Sequence, residues 1–333
     1  MNKRSDIDSR TEMFAVKDFL EVFQPKAITQ RFAHTETQPK RSSRVRIWRR
    51  YLPLPETNAP ITEGITPESY RVLHQDISVQ LAQFGGIVEI TDVIEDVVDD
   101  PIMKITGKLL ARQAVQVIEK ATISVITAGT NATFAGGTSR ATVAGTITRD
   151  LLRGVVRQLD RAGAEPISQM IAPTSDVATQ GVEESFYAMA HTDLDSDLRN
   201  ITEFITYAEY GTPSSRVMGE VGSIERIRFV LNQNFVPWEL AGVSGTTFLS
   251  GGDSSAGSAG KADVYPIVIV GQDAYAAVRL QHYSTFEMFV MNPGVARGGD
   301  PLGQRGTVGW KTWYACKILT ENYMHRLEVG VTN

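Results

Sequence analysis

The chain has 333 residues, of which 42% are hydrophobic, and a single cysteine, Cys316. This length allows two domains or one domain with large excursions, and the hydrophobic share predicts a packed core rather than a disordered chain. One cysteine excludes an intramolecular disulfide and indicates synthesis in a reducing cytoplasm. The apolar surroundings of Cys316 favour a buried small side chain over a nucleophile. No run of about 18 apolar residues is present, so no membrane span is predicted, and the polar residues 1–10 predict no secretory signal.

The net charge of −5 is unevenly distributed along the chain. Between Lys26 and Arg50 there is one acid, Glu36, against eight basic residues, namely Lys26, Arg31, Lys40, Arg41, Arg44, Arg46, Arg49 and Arg50. This segment carries +7, and the rest of the chain therefore carries −12. A basic segment on an acidic body predicts contact with an acidic partner, either nucleic acid or a neighbouring subunit, and a solvated tail is the alternative.

Residues 1–43 have the pattern of an arm. Within them, Thr11–Phe23 has apolar residues at helical spacing, and Pro25 would end that helix. From Arg44 the pattern changes to the two-residue period of a strand, with Val45, Ile47, Arg49 and Tyr51 on one face and Arg44, Arg46, Trp48 and Arg50 on the other.

A second alternating run, Ile77–Leu81, predicts the return strand of a hairpin. Its tip spans residues 53–71 and begins with a stretch, Pro53–Gly64, that contains three prolines. Such a stretch cannot be a helix interior or a central strand. The sequence therefore predicts a long exposed arm with a stiff tip that rests on something outside its own domain.

A long helix is predicted from Asp100 to Ala128, since acids and Pro101 are typical of a helix start and Gly129 of its end. Its length would be about 42 Å. We expect Leu109, Val117 and Ala121 on its buried face and Gln116 on the opposite one.

The remaining pattern predicts two helices and seven strands. The predicted helices are Thr148–Ala162 and Asp193–Asn200. The predicted strands are Phe186–Ala190, Ile224–Leu231, Val264–Gly271, Val278–Leu280, Phe286–Met291, Val308–Leu319 and Arg326–Val331. Small polar residues predict loops at 131–145 and 242–260.

The motifs of common enzyme classes are missing from the sequence. Gly257–Ala262 has the wrong glycine spacing for a phosphate-binding loop, and no dinucleotide fingerprint, zinc-protease motif or nucleophile elbow is present. Alternating carboxylates at residues 193–197 lack the other ligands of a calcium loop, so a capped helix is the favoured interpretation. The acidic run from Asp92 to Asp100 has the pattern of a solvated turn, with cation binding or docking of a basic arm as alternatives. We therefore predict no enzyme, no cofactor and no metal site.

Six motifs, in order, resemble the major capsid proteins of tailed phages of the phage N-four type. They are Arg49–Pro55 with Ala59–Gly64, Glu89–Asp92 followed by Asp100–Pro101, Ala128–Asn131, Gly219–Ile224 with Arg228–Val230, Tyr265 with Val270–Tyr275, and Pro301–Lys311. The resemblance covers the chain from about residue 45 to the end. Residues 174–184 and 242–260 depart from it, since they look longer than the family pattern.

The resemblance implies an α+β chain with a Hong Kong 97-type (Johnson) capsid fold. Residues 1–43 would be its N-arm, and residues 44–90 its E-loop with the flanking strands. Residues 91–147 and 286–333 would form the peripheral domain, which contains the long spine helix. Residues 148–285 would form the axial domain.

The resemblance also implies a major capsid protein that self-assembles into hexamers and pentamers of an icosahedral phage head around double-stranded DNA. The alternative within the same fold is an encapsulin-like nanocompartment shell, and a hydrolase or nucleic-acid-binding enzyme is the alternative of another class. Scaffolding and portal proteins are expected partners, and a decoration protein is a further candidate. Because only about 43 residues precede the E-loop, we expect a separate scaffold and no large maturation cleavage.

Contacts are predicted at two groups of residues. Intersubunit contacts of the E-loop are expected at Arg46, Arg49, Arg50, Pro53, Pro55 and Glu63. Contacts with DNA or scaffold at the inner face are expected at Lys40 and Arg41, which lie on the less regular arm.

Overall fold

The protein is described from a computed structural model. The structure describes residues 27–39, 41–56, 60, 63–64, 66, 69–93, 102–172, 180–210, 217–244, 248–250, 261–280, 287–294 and 298–332. The predicted helix Thr11–Phe23 and most of the loop 242–260 lie outside these residues. None of the helices within these ranges has the length and apolar character needed to cross a membrane.

The first sheet is built around one long strand. Its five strands are β1 (His34–Gln38), β4 (Ala82–Thr91), β11 (Tyr275–Leu280), β12 (Glu287–Met291) and β13 (Arg305–Ile318). Strand β13 pairs antiparallel with β4 along one edge and with β11 and β12 along the other. Strand β1 runs parallel to β11 and so completes the sheet with residues close to the N-terminus.

Helix α1 (Ile102–Thr127) packs against this sheet and confirms the predicted long helix. Its buried ridge of Leu110, Ala114 and Ile118 follows a four-residue spacing, and Leu110 and Ala114 pack with Val308 and Trp310 of β13. The predicted register is wrong at Leu109, which is 47% exposed. The physical reason is that a neighbouring residue on a helix is rotated by about 100°, so Leu109 leaves the ridge on which Leu110 lies.

The second sheet has seven strands in the spatial order β5-β14-β10-β6-β9-β8-β7. These strands are β5 (Ala132–Phe134), β6 (Phe186–Ala190), β7 (Ile205–Thr206), β8 (Glu220–Ile224), β9 (Ile227–Leu231), β10 (Tyr265–Val270) and β14 (Met324–Val329). The central strands β6, β9 and β10 are buried along their whole length, as their continuous apolar sequences indicate.

Two further helices lie beside the seven-stranded sheet, and both confirm predictions. Helix α2 (Arg149–Arg161) is capped by Thr148, whose side chain accepts a hydrogen bond from the Leu151 N–H. Its buried face packs on the sheet through Leu152, Val155, Val156 and Leu159. Helix α3 (Asp195–Arg199) is the predicted short helix.

Strand pairing differs from the sequence predictions in two places. The predicted single strand Ile224–Leu231 is the hairpin of β8 and β9, because Glu225 and Arg226 have left-handed φ angles of 48° and 61° and turn the chain. The predicted loop 131–145 contains strand β5, which pairs parallel with β14. The β5–β14 pairing depends on a partner far away in the sequence, and local patterns do not contain it.

The predicted division into domains stays a prediction, and three strands do not follow its ranges. Strands β5 and β14 fall within the ranges assigned to the peripheral domain, yet they pair within the seven-stranded sheet. Strand β11 falls within the axial range, yet it pairs with β13 of the five-stranded sheet.

The segment that enters β1 is part of the core, although it belongs to the predicted arm. Ile28 and Phe32 are buried, and the backbone N–H groups of Ile28 and Thr29 donate to Glu119 Oε1 of α1 at 2.9 and 3.1 Å. The Thr29 hydroxyl donates to the second carboxylate oxygen at 2.6 Å. The fully buried Glu119 therefore fixes this segment to the long helix.

His325 of β14 predicts a loss of stability in acid. Burial and then Arg326 lower the pKa of His325 from 6.5 to about 4. As the pH falls, the unfolded chain therefore binds a proton at this histidine before the folded chain does. The free energy of unfolding has its full value above pH 6.5 and falls by about 3 kcal/mol as the pH drops from 6.5 to 4. Urea unfolding midpoints at several pH values measure this change.

The control for this prediction is His74, which is exposed on the hairpin. The His325→Asn variant is expected to lose the component of the pH dependence between pH 6.5 and 4, and His74→Asn is expected to keep it. Equal pH profiles for the wild type and His325→Asn would contradict the assignment.

Candidate intersubunit surfaces

The hairpin predicted from Arg44 onward consists of β2 (Val45–Tyr51) and β3 (His74–Gln80). The two strands pair antiparallel over their whole length, with Val45 opposite Gln80 and Tyr51 opposite His74. Exposed and half-buried residues alternate along β2, so the predicted two faces are confirmed. The hairpin forms a sheet of its own, and its two faces have different surroundings.

The inner face of the hairpin carries arginines that hold it to the body of the same chain. Arg46 forms an ion pair with Glu36 of β1 at 2.5 Å. Arg50 donates to the Leu319 carbonyl at 2.8 Å and also contacts the Thr320 hydroxyl. These contacts fix both ends of β2 to the body, to β1 near its start and to the residues after β13 near the tip.

Arg49 lies on the outer face and pairs across the hairpin. Its Nε and Nη2 donate to the two oxygens of Asp76 at 2.9 and 3.0 Å, which is the bidentate geometry expected for arginine on a strand. The hydrogen bond from Arg49 lowers the pKa of Asp76. The carboxylate partner thus belongs to the same chain.

On β2 the outer face is apolar apart from Arg49, whereas the β3 residues opposite it, Gln80, Ser78 and His74, are polar. Val45, Ile47 and Tyr51 point away from the body, with Ile47 56% and Tyr51 64% exposed. Further exposed apolar residues continue towards and beyond the tip, namely Leu52, Leu54, Tyr70, Val72 and Leu73. We call Val45, Ile47 and Tyr51 the outer stripe. Three exposed apolar side chains in one row are typical of a surface that binds another protein.

The other predicted contact residues lie near the tip of the hairpin or in the segment that precedes it. Pro53, Pro55 and Glu63 are exposed near the tip, and Arg41 is exposed with a left-handed φ of 62°. Lys40 lies outside the described residues. The predicted contacts of all these residues with a neighbour, DNA or scaffold stay predictions.

Sequence reasoning missed a second apolar surface, on the five-stranded sheet. Ile87 of β4 and Phe289 of β12 both face Gly309 of β13 from opposite sides, and both are exposed. Gly309 is buried between these two side chains, so Ile87 and Phe289 supply the exposed apolar surface of this row. We call Ile87, Gly309 and Phe289 the sheet patch. The sequence holds no signal for this surface, because the apolar residues Met288–Met291 of β12 indicate burial.

The carboxylates that resemble a calcium loop have structural roles. Asp193 Oδ2 accepts a hydrogen bond from the Tyr265 hydroxyl at 2.8 Å, and Asp197 Oδ2 accepts from the Thr332 N–H at 3.0 Å. The cap at this point is His191, whose ring accepts from the Asp193 N–H, rather than Thr192 or Asp193. Within the described ranges no group of three or more metal-ligating side chains is present. Of the acidic run, residues 94–100 lie outside those ranges.

A polar depression of about 480 Å³ lies beside β7 and β8. Glu203 and Glu225 line it, and both carboxylates form ion pairs with Arg149. Burial raises the pKa of Glu225, but Arg149 and Arg153 outweigh this effect and lower that pKa overall. Both carboxylates are thus ion-paired, and the lowered pKa of Glu225 keeps that group charged, which is unlike a proton-transfer site.

Cys316 is packed against apolar neighbours between the five-stranded sheet and α1. Burial raises the pKa of its thiol to about 12. The thiol is therefore protonated at neutral pH, which agrees with the interpretation of Cys316 as a small packing residue.

Comparisons with known proteins agree on one family. A family model described as phage capsid protein matches residues 75–326. The major capsid protein of Pseudomonas phage KPP21 is 22% identical over 183 residues, which are 52% of this chain and 45% of that protein. The match therefore spans less than half of that relative's length.

Solved structures are similar over almost the whole chain. The capsid of Ralstonia phage GP4 has a TM-score of 0.71 at 11% identity, covering 98% of this chain and 97% of that one. The capsid structure of Cyanophage P-SCSP1u has a TM-score of 0.64 at 12% identity, covering 96% and 93%. At these identities the similarity shows a shared fold.

Proposed function

The chain belongs to the phage capsid protein family and has the predicted Hong Kong 97-type fold, and from this premise we propose that it is a major capsid protein that self-assembles into the hexamers and pentamers of an icosahedral head enclosing double-stranded DNA. The observation that carries the proposal is the outer stripe of the hairpin. A chain with this fold presents an apolar row on an arm, where its own body does not cover it.

The outer stripe is complementary to the sheet patch of a second copy. The β2 side of the hairpin and the sheet patch are both apolar, so Ile47 or Tyr51 of one copy would bury apolar surface against Ile87 and Phe289 of the next. Fully burying a side chain such as Ile47 contributes about 1.5–3 kcal/mol, from which the cost of association is subtracted. One contact of this size is weak, but each subunit of a closed shell makes several. The shell is therefore held together by many modest contacts.

The arginines support this arrangement from within the subunit. Arg46 and Arg50 hold the two ends of β2 against the body, so the outer stripe faces a fixed direction. A pre-positioned arm loses less conformational entropy on binding than a flexible one. The proline-rich tip adds stiffness for the same reason.

The other partners follow from the same role. Scaffolding and portal proteins, a decoration protein and the packaged DNA would contact surfaces apart from the outer stripe, with Lys40 and Arg41 as candidates for DNA or scaffold. Assembly would take place in the cytoplasm of the bacterial host. An encapsulin-like shell is not favoured, because the family model and the similar structures described above are those of phage capsids.

Charged substitutions in the outer stripe test the proposal. The double variant Ile47→Lys, Tyr51→Lys is expected to remain folded, since both side chains are exposed, and to form no shells, because lysines would replace the apolar contact. Electron microscopy and sedimentation velocity measure shell formation, and urea unfolding measures the fold.

The control is Met170→Lys, which changes a 65% exposed apolar side chain outside the hairpin. This variant is expected to form shells in normal yield. Normal shells from Ile47→Lys, Tyr51→Lys would contradict the role of the outer stripe.

A charge exchange tests whether Arg49 acts through its ion pair with Asp76 or contacts the neighbouring subunit directly. Arg49→Asp is expected to reduce shell yield, because two carboxylates would face each other across the hairpin beside the outer stripe. Its effect on subunit stability should stay below about 1 kcal/mol, since the pair is exposed. Adding Asp76→Arg restores an ion pair within the chain and is expected to restore shells. If shells remain absent in the double variant, Arg49 contacts the neighbouring subunit directly, as the sequence predicts.

A further inference from the structure

Strand β12 lies at one end of the strand path of the five-stranded sheet, and among the described strands it pairs with β13 alone. That pairing runs from Glu287 opposite Lys311 to Met291 opposite Thr307. The other edge of β12 presents a row of backbone N–H and C=O groups to any strand that approaches it. Proteins often protect such an edge with charged side chains or prolines along the strand. Strand β12 has one charge, at its first residue, and the nearest proline, Pro293, follows the strand.

Both faces of β12 are apolar and exposed. Phe289 is exposed on the face of the sheet patch, and Val290 is 58% exposed on the opposite face. Helix α1 covers that opposite face over β13, where Val308 is fully buried, but it leaves Val290 uncovered. Strand β1, at the other end of the same path, has the polar sequence His-Thr-Glu-Thr-Gln. The two ends of the path thus differ in composition, and β12 is the end that suits a further strand.

The sequence of β12 is complementary to itself in the antiparallel direction. With Phe289 opposite Phe289 of a second copy, Met288 lies opposite Val290, and Glu287 lies opposite Met291. The two glutamates are then at opposite ends of the pair, so like charges do not face each other. Both Phe289 side chains would lie side by side on one face of the joined sheet, and Met288 would meet Val290 on the other.

We propose that β12 of one subunit pairs antiparallel with β12 of a second subunit, with Phe289 opposite Phe289, and joins their two sheets into one. This inference rests on the proposed self-assembly and names a second contact, apart from that of the outer stripe. The pair has two-fold symmetry, because both copies use the same surface. An icosahedral shell contains two-fold axes at which such a contact can lie.

The two contacts would have different roles in a shell. The outer stripe and the sheet patch are different surfaces, so contacts between them can close a ring of subunits. The β12 pair uses one surface twice, so it would join a subunit of one ring to a subunit of the next. Because Phe289 ends the row of the sheet patch, the pairing would also place the sheet patches of two subunits side by side.

Disulfide trapping tests the pairing on the full-length protein. Opposite residues of an antiparallel pair have Cα atoms about 4.5–5.5 Å apart, which is within the range of a disulfide, about 4.4–6.8 Å. Phe289→Cys is therefore expected to give disulfide-linked dimers under mild oxidation with copper phenanthroline. Non-reducing electrophoresis and mass spectrometry measure the dimers, and the wild type, whose one cysteine is Cys316, sets the background.

Met291→Cys is the matched control, because Met291 is exposed on the same strand and the same face. In the proposed register the Met291 residues of the two copies are offset by four positions, about 14 Å along the strands. This separation is beyond the range of a disulfide, so we expect about tenfold less dimer than from Phe289→Cys. Equal yields from the two variants would contradict the register.

A second set of variants keeps Phe289. An equimolar mixture of Met288→Cys and Val290→Cys is expected to form mixed dimers, because these positions lie opposite each other in the proposed register. Either variant alone is expected to form few dimers, since its two copies are diagonal neighbours with Cα atoms about 7–8 Å apart.

The outcomes separate the β12 pairing from the proposed function. Shells that form without the Phe289→Cys dimer and without the mixed dimer would overturn the pairing and leave the proposed function standing. If the amides of β12 are nevertheless protected from hydrogen exchange in those shells, a different strand occupies the edge. Dimers trapped in a protein that forms no shells would support the pairing and contradict the proposed function. A protein that forms neither dimers nor shells would contradict both.

Discussion

Replacing Leu110 with aspartate is expected to unfold the subunit, whereas the same replacement at Leu109 is expected to leave it folded. Leu110 is buried among Ala114, Val308 and Trp310, and an aspartate there would be a buried charge without a partner. Such a change costs several kcal/mol, on the order of the whole stability of a domain. Leu109 is 47% exposed, so an aspartate there remains hydrated.

Circular dichroism and urea unfolding of the two variants measure this difference. The neighbouring positions are matched in residue type and helix environment, and they differ in the direction of the side chain. If Leu109→Asp unfolds the subunit and Leu110→Asp does not, helix α1 has the register that its sequence predicts and not the one described above.

The second large effect is expected at Glu119. Glu119→Ala would leave the N–H groups of Ile28 and Thr29, the Thr29 hydroxyl and the Asn232 amide without the acceptor they share. Each buried donor left unpaired costs about 1–3 kcal/mol, so we expect a loss of about 3–5 kcal/mol. The N-terminal segment should detach first, because these bonds hold it to α1.

Glu119→Gln is the matched control, since it keeps the shape and one acceptor oxygen. A glutamine can still accept from the two N–H groups and is expected to cost no more than about 2 kcal/mol. Urea midpoints and amide hydrogen exchange at Ile28 and Thr29 measure both variants. Equal stabilities of Glu119→Ala and the wild type would contradict the role of this carboxylate.

Local patterns in the sequence predict several elements closely. Helix α1 begins and ends within two residues of its predicted bounds, because Pro101 and Gly129 are strong helix boundary signals. The cap at Thr148 and the apolar spacing of α2 are equally local. The alternation along Val45–Tyr51 depends only on the period of a strand, and the structure confirms it.

Features that depend on distant partners could not be predicted in this way. Alternation separates the two faces of the hairpin, but it does not say which face meets the body, and here the arginine face does. Arg46 reaches Glu36 and Arg50 reaches residues 319–320 because β1 and the end of β13 lie beneath the hairpin. The apolar outer stripe follows from the same packing, so its exposure was hidden in the sequence.

The sheet patch also could not be predicted from local sequence patterns. The row of Ile87, Gly309 and Phe289 brings together three strands that are far apart in the chain. The apolar sequence of β12 indicates a buried strand, whereas its residues are exposed because β12 lies at the end of its sheet path among the described strands. An exposed apolar edge is unfavourable for an isolated subunit and suits one that joins others.

Cryo-electron microscopy of the purified wild-type protein tests the central claim most directly. We expect closed icosahedral shells in which the outer stripe of each hairpin contacts the sheet patch of a neighbouring subunit. A protein that stays monomeric under assembly conditions, or shells in which Ile47 and Tyr51 face solvent, would contradict the account.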